Sequence, residues 1–271
     1  YLYAIAEGIE RERALFEKLL VMEQGKPLAE AAAEVTDTIR YMTYAAEAAL
    51  RIRGDIFPAD SPNEQLFIYK VPFGVTVGLC AYNYPLALIG RKVGPALVTG
   101  NTMILKPHEA TPVTASEFCR VVQEAGLPPG VINMVQGARE TGAAVLEHKE
   151  VDGVLFTGSA NTGAFIHKMF GGRPEIILAL EMGGNNPLIV WDIKDAQAAA
   201  SIIVQSAFVT SGQRCTCARR LIVPEGAPDE NIIKAVLAMT GRLTLGAWDD
   251  EETASIGPVV SADIAGFVVK S

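Results

Sequence analysis

The sequence predicts an α/β protein: a doubly wound parallel sheet with helices on both faces, followed by part of a second, smaller α/β unit. Two observations carry that prediction. From Gln65 to Leu180 short apolar or alternating runs are interleaved with longer runs of helical period, the pattern of strands joined by crossover helices and therefore paired in parallel. The chain also has 271 residues, 49% of them hydrophobic, enough to bury one large or two modest cores. There is no sequence repeat beyond the alternation and no low-complexity segment.

The elements follow in order. A helix begins at Tyr1 with no capping residue before it and carries Ile5, Ile9, Leu15, Leu19 and Leu20 at roughly helical spacing. A second helix runs from Lys26-Pro27 to about Ile52 through Val35, Ile39, Met42 and Ala46. Both read as packing helices without chemistry of their own. Residues 54–63, with Pro58 and Pro62, read as a turn-rich connector. Strands are then predicted at 65–71, 75–81, 102–105, 131–136, 154–156 and 175–180, with helices at 85–98, 114–125, 141–148 and 162–170 between them. Further on come a strand at 186–191, a helix at 196–209, a strand at 221–224 and a helix at 230–243.

Composition narrows the function. A formal net charge of −8 argues against a nucleic-acid or membrane-surface binder. Four cysteines, two of them nearly adjacent, make no disulfide framework and fit a reducing compartment. Neither a secretory leader nor an apolar run of bilayer length is legible, so a cytoplasmic protein is expected.

In doubly wound sheets ligands bind beyond the carboxyl ends of the strands, where the strand order reverses, and here those ends carry chemistry. The 75–81 strand leads to Tyr82-Asn83-Tyr84-Pro85; Asn83 is either the N-cap of the next helix or an amide donor to an oxyanion. The next tip holds Lys106 and Glu109, either solvated surface groups or contacts to ribose hydroxyls. Phe156-Thr157-Gly158-Ser159, with Gly163 beyond, offers a helix N-terminus to phosphate, though it is not a G-x-G-x-x-G run. Leu180-Glu181-Met182-Gly183-Gly184 places a carboxylate before two glycines, either an exposed loop group or a mobile general base. Finally Ser211-Gly212-Gln213-Arg214 leads into Cys215. A helix terminus and Arg214 beside that thiol would favour the thiolate; the alternative is a structural cysteine. Cys215-x-Cys217 lacks a second ligand pair, so no metal site is expected.

Taken together, YNYP, GNTMILKPHEATP, FTGSANTG, LALEMGGNNPLIV and SGQRCTCARR resemble the aldehyde dehydrogenase superfamily over nearly the whole chain. The resemblance implies a Rossmann-like cofactor domain, NAD as cofactor and a small-molecule aldehyde as substrate. Cys215 resembles the nucleophile, Asn83 with the Cys215 N–H the oxyanion site, and Glu181 the base that activates water against the thioester. Lys106 and Glu109 resemble the contacts to the adenine-side ribose, with the Glu109 carboxylate favouring NAD over NADP. Ser159 resembles the pyrophosphate contact, with Gly158 and Gly163 allowing close approach; Tyr82 and Gly183 flank the same cleft.

From about Gly126 onward the likeness is to the succinylglutamate-semialdehyde dehydrogenases of arginine catabolism, whereas AYNYPLALIGRKVGPALVTGN is more like the lactaldehyde and short-chain members. The expected reaction is therefore oxidation of succinylglutamate semialdehyde, with lactaldehyde or another short-chain aldehyde as the alternative. Arg214, Arg219 and Arg220 are possible sources of positive charge for a carboxylated substrate. Family members are much longer, so the chain is expected to be a fragment, homo-oligomeric only at full length. Residues 1–60 would be N-terminal helices of the cofactor domain, 61–182 the NAD-binding domain with an oligomerisation-hairpin segment at 65–71, and 183–271 a partial catalytic domain. A cofactor-free hydrolase using Cys215, Glu181 and Lys106, an acylating relative, and an inactive binding fragment remain as other readings.

Overall fold

Five parallel strands form the centre of the computed structural model, which describes residues 1–247 and 254–270. They are β3 (Val75–Leu79), β4 (Thr102–Lys106), β5 (Ile132–Met134), β6 (Gly153–Gly158) and β7 (Ile177–Met182), in the order β5-β4-β3-β6-β7. The chain thus winds outward from β3 in one direction, returns, and winds outward in the other. The reversal lies between β3 and β6, whose register pairs Leu79 with Phe156. The tips expected to bind ligand flank this point.

Side chains alternate across the sheet, and each face has its own core. Met103, Leu105 and Cys80 face a cluster built from α1 (Leu2–Arg11), α2 (Arg13–Gln24), α3 (Leu28–Ala48), α4 (Pro85–Val98) and α5 (Pro112–Glu124), with Ile5, Phe16, Val35, Ile89 and Phe118 buried inside it. Val77, Leu79, Val154 and Phe156 face the other side, against Leu146 of α6 (Arg139–Leu146) and Ile166 of α7 (Ala160–Met169). Each fully buried Phe or Leu contributes about 1.5–3 kcal/mol, so the first face carries most of the hydrophobic stabilisation. On that face α4 lies close against α3: a Cβ at Gly90 would sit 2.9 Å from Thr38 Cγ2, and one at Gly94 3.0 Å from Ala45 Cβ.

Most predicted elements appear within a few residues of their expected bounds, and α4 appears at the predicted ones. Three differ. The first helix is interrupted at Glu12, where φ −95° and ψ 16° end α1 and start α2; Phe16 takes the buried position and Leu15 lies outside. The supposed connector contains β1 (Asp55–Pro58), which pairs antiparallel with β2 (Gln65–Ile68). The predicted 65–71 strand accordingly stops at Ile68. Both strands of this hairpin are exposed along their whole length, with Ile56, Phe57, Leu66, Phe67 and Ile68 facing out. A helix not expected from sequence, α10 (Ala262–Lys270), closes the described chain. The smaller unit pairs β8 (Asn186–Ile189) in parallel with β9 (Ala218–Ile222) and packs α8 (Ala196–Phe208) and α9 (Ala227–Thr240) around Val190, Ile203 and Ile232.

Candidate active site

Cys215 lies on an exposed loop between a 3-10 turn at Val209–Gly212 and β9. The turn is strained: Thr210, Ser211 and Gly212 are all left-handed, with φ of 54°, 55° and 71°. For non-glycine residues that region costs roughly 1–2 kcal/mol each, so neighbours must hold it. Glu30, on the first turn of α3, accepts the Thr210 N–H at 3.0 Å and its hydroxyl as well. Ser211 Oγ donates to the Gly257 carbonyl. Past the thiol, Asn186 Nδ2 donates to the Cys215 carbonyl at 2.6 Å and to that of Cys217 at 3.1 Å. Cys217 is buried with its Sγ directed to the Val209 carbonyl, a packing position rather than a ligand. Among the described residues no cluster of His, Cys, Asp and Glu could hold a metal ion.

One expectation about the thiol is corrected. The helix before it, α8, ends at Phe208 close to its predicted end, so the terminus that precedes the thiol is a C-terminus, the negative end of the helix dipole, and not the N-terminus that attracts anions. Nor does Arg214 extend along the loop; its guanidinium lies 4.3 Å over the ring of Tyr84. Arg219 and Arg220 donate to the carbonyls of Gly212 and Asn185.

Asn83 is not a helix cap. Tyr84 occupies the N-cap of α4 and Pro85 follows at the first helical position. The orphan N–H groups of Leu86 and Ala87 go instead to Glu34 Oε1, at 2.9 and 3.1 Å, a cap supplied from another helix. This frees the Asn83 side chain to cross to the cysteine loop, where Nδ2 donates to the Gln213 carbonyl at 2.7 Å. An amide nitrogen has a second N–H, so Asn83 can donate once more. Its Oδ1 is buried with no partner among the described residues, at a cost of about 1–3 kcal/mol. Lys26 Nζ fixes the Asn83 carbonyl at 2.9 Å, pairs with Glu34 and lies 3.8 Å over the Tyr84 ring. Both partners of that ion pair are fully buried, and burial holds the Lys26 pKa below the ordinary lysine value in spite of Glu34. Burial also pushes the Tyr84 phenol up to about 12, so it meets Thr210 Oγ1 as a neutral hydroxyl at 3.3 Å.

Glu181 stands exposed near the tip of β7, opposite Thr157 of β6 in the register. Gly183 just beyond it faces open space, with no atom within 4 Å of a Cβ built there. A group missed by sequence reasoning sits beside these strands. Lys92 is buried inside α4 and donates to Thr157 Oγ1 at 2.6 Å. Burial lowers its pKa, against the pull of Cys80 and Glu181. Two adjacent cations, Arg91 and Lys92, inside the run LALIGRKVGPALV are the feature that would have found it. Lys26, Glu30, Glu34 and Asn186 were missed as well. The two glutamates, four apart on a helix, read as a solvated face, and nothing local marks the other two.

On the other side of the sheet reversal, Lys106 Nζ lies 3.3 Å from Glu109 Oε2 and 3.1 Å from the Pro107 carbonyl. The paired cation and carboxylate at the tip of β4 suit two neighbouring hydroxyls. Tyr82 packs edge-on against His108 with ring centroids 5.2 Å apart. Ser159 caps α7, its Oγ accepting the Thr162 N–H at 3.2 Å. The helix therefore starts at Ala160, two residues earlier than expected, with its first N–H groups at the strand tip where an anion is stabilised. The two glycines nearby serve packing: a Cβ at Gly163 would sit 2.2 Å from Met182 Sδ, and one at Gly158 2.5 Å from the Phe156 ring. Gly163 lets α7 lie against β7, and Gly158 leaves room for the Phe156 ring.

A paired lysine and glutamate at one strand tip, a capped helix N-terminus at another, and an amide tied to the cysteine loop are thus the groups available to a ligand here. The model of the aldehyde dehydrogenase family matches residues 1–270. The N-succinylglutamate 5-semialdehyde dehydrogenase of Escherichia coli (strain SE11) is 45% identical over 261 residues, covering 96% of this chain and 53% of that protein. The same enzyme of Shigella flexneri matches equally. Among solved structures, a lactaldehyde dehydrogenase superposes with a TM-score of 0.94 at 36% identity, covering 99% of this chain and 56% of the other. The betaine aldehyde dehydrogenase of Staphylococcus aureus in complex with NAD+ gives 0.94 at 31% identity, with 99% and 54% covered. The chain thus spans about half the length of the relatives it matches. By its full-length family match and its fold, this chain belongs to the aldehyde dehydrogenase family.

Proposed function

We propose that the chain carries the cofactor-binding part and a portion of the catalytic part of an NAD-dependent dehydrogenase that oxidises succinylglutamate semialdehyde to succinylglutamate. The observation that supports it most is the Asn83–Gln213 hydrogen bond, because it ties the amide of one strand tip to the loop of the nucleophile. Cys215 attacks the carbonyl carbon as a thiolate, and the oxygen that becomes negative meets the remaining Asn83 N–H and the Cys215 N–H. NAD, when bound, supplies the hydride acceptor that converts the resulting adduct to a thioester. Glu181 then takes a proton from water as the water adds to the thioester, releasing the acid and restoring the thiolate. Lys92, bonded to Thr157 whose register partner on β7 is Glu181, suits the passage of that proton.

The donor set fits the cofactor. Lys106 and Glu109 would hold the ribose hydroxyls, Ser159 and the start of α7 the pyrophosphate, and Tyr82 and Gly183 the walls of the cleft. The solved relative with bound NAD+ supports the choice of cofactor. The substrate rests on the 45% identity to the succinylglutamate-semialdehyde enzymes and on Arg214, the loop guanidinium not taken up by a backbone carbonyl in the way of Arg219 and Arg220. Residues 1–60 and 61–182 would form the cofactor domain and 183–271 part of the catalytic one; residues 248–253 and Ser271 lie outside the described residues. The fully exposed apolar hairpin β1–β2 supports homo-oligomerisation of the whole protein. Four free cysteines suit a reducing, cytoplasmic setting, and no described helix is long and apolar enough to cross a membrane.

NADH formation from succinylglutamate semialdehyde, compared between the unaltered protein and Cys215→Ala, tests this reading. Loss of the nucleophile is expected to lower turnover on the order of 10⁶-fold. Retention of most of the rate would overturn the proposal. Equal rates with lactaldehyde would remove the substrate assignment alone.

A further inference from the structure

The first turns of α3 reach into both halves of the candidate site. Glu30 and Glu34 lie four residues apart and therefore on one side of the helix. Glu30 accepts the Thr210 N–H and hydroxyl. The Thr210 carbonyl accepts the Gln213 N–H at 2.9 Å and its Nε2 at 3.2 Å, and the Gln213 carbonyl accepts Asn83 Nδ2. Asn83 returns through Lys26 to Glu34. The circuit starts and ends on one helical turn, and the left-handed residues before Cys215 are part of it. A carboxylate suits the post because it only accepts, and its two oxygens take an N–H and an O–H together.

We propose that Glu30 is a positioning residue for Cys215: it holds the left-handed turn at Thr210 in the form that presents the thiol beside Asn83. The inference rests on Cys215 being the nucleophile proposed above, and goes beyond it in assigning a device that reaches Thr210 from 180 positions away in sequence. A staple that served stability alone would change unfolding and leave the chemistry of the folded thiol untouched.

The test is the rate at which iodoacetamide labels Cys215, followed peptide by peptide by mass spectrometry in the 271-residue chain and in Glu30→Ala, Glu30→Asp and Glu30→Gln. Thiol alkylation follows thiolate character and access, both of which change when the loop shifts, so Cys215 labelling is expected to change by about tenfold or more in Glu30→Ala and Glu30→Asp. Glu30→Gln is expected to stay within about threefold, since its amide oxygen keeps the Thr210 N–H and its NH₂ can meet the hydroxyl oxygen. Cys119, on α5 and away from the loop, should label equally slowly in all four. Circular dichroism confirms folding; should the alanine variant fail to fold, Glu30→Asp, which keeps the charge but not the reach, carries the test. Folded Glu30→Ala or Glu30→Asp labelling at the unaltered rate overturns the inference and leaves Cys215 as nucleophile. If Cys215 of the unaltered chain labels no faster than buried Cys217, both readings fall.

Discussion

The tips of β4 and β6 and the loop at Cys215 carry the candidate site residues but are held by different means. At β4 and β6 the bonds join residues three apart, Lys106 to Glu109 and Ser159 to Thr162. At the cysteine loop they span 126 positions from Tyr84 to Thr210, 130 from Asn83 to Gln213 and 180 from Glu30 to Thr210. The strand tips therefore take their shape as soon as the strand and helix form. The strained left-handed turn before Cys215 exists only when α3 and α4 are already docked. Cofactor-side groups should tolerate single changes, whereas the nucleophile's setting should fail cooperatively.

That contrast can be broken most severely at Lys26. Lys26→Met leaves the buried Glu34 carboxylate without its counter-charge and the Asn83 carbonyl without its donor. Loss of one partner of a buried pair costs about 3–5 kcal/mol, to be read from the midpoint shift in urea. A change under about 1 kcal/mol, the scale of a surface pair, would show that the circuit is not what holds the two halves together. Asn83→Ala should come next, lowering kcat by roughly 10²–10³-fold as loss of an oxyanion donor does, with the KM for NAD little altered. If KM rises and kcat stands, Asn83 supports the loop without meeting the substrate. Ser159→Ala should be smallest, removing one local cap for about 1 kcal/mol in the same denaturation experiment and leaving Cys215 labelling as it was. A fall in labelling there would mean the two regions are coupled after all.

The same difference in range explains what was legible beforehand. α4 was readable because Pro85 sets its start and a mostly apolar run follows, broken only by Arg91 and Lys92; β3, β4 and β6 were readable as short buried runs. The β1 strand was hidden because Pro58 and the polar residues after it look like a turn, and its pairing with β2 shows only in three dimensions. Gly163 was recognisable as a glycine that mattered, yet the partner that makes it necessary, Met182, lies at the end of β7 and not in its own helix. The interruption at Glu12 escaped notice since helical period continues on both sides of it.

The sequence by itself determined the alternation that winds the sheet, the identity of the groups at each strand tip and the family to which they belong, because propensity, period and motif are properties of neighbouring residues. Only the tertiary structure decided that Asn83 leaves its helix to Glu34 and turns toward Gln213, that Glu30 holds Thr210, and that Lys92 is buried against Thr157. Those choices depend on buried donors and acceptors finding partners once water is excluded, and the partners come from wherever the completed fold brings them.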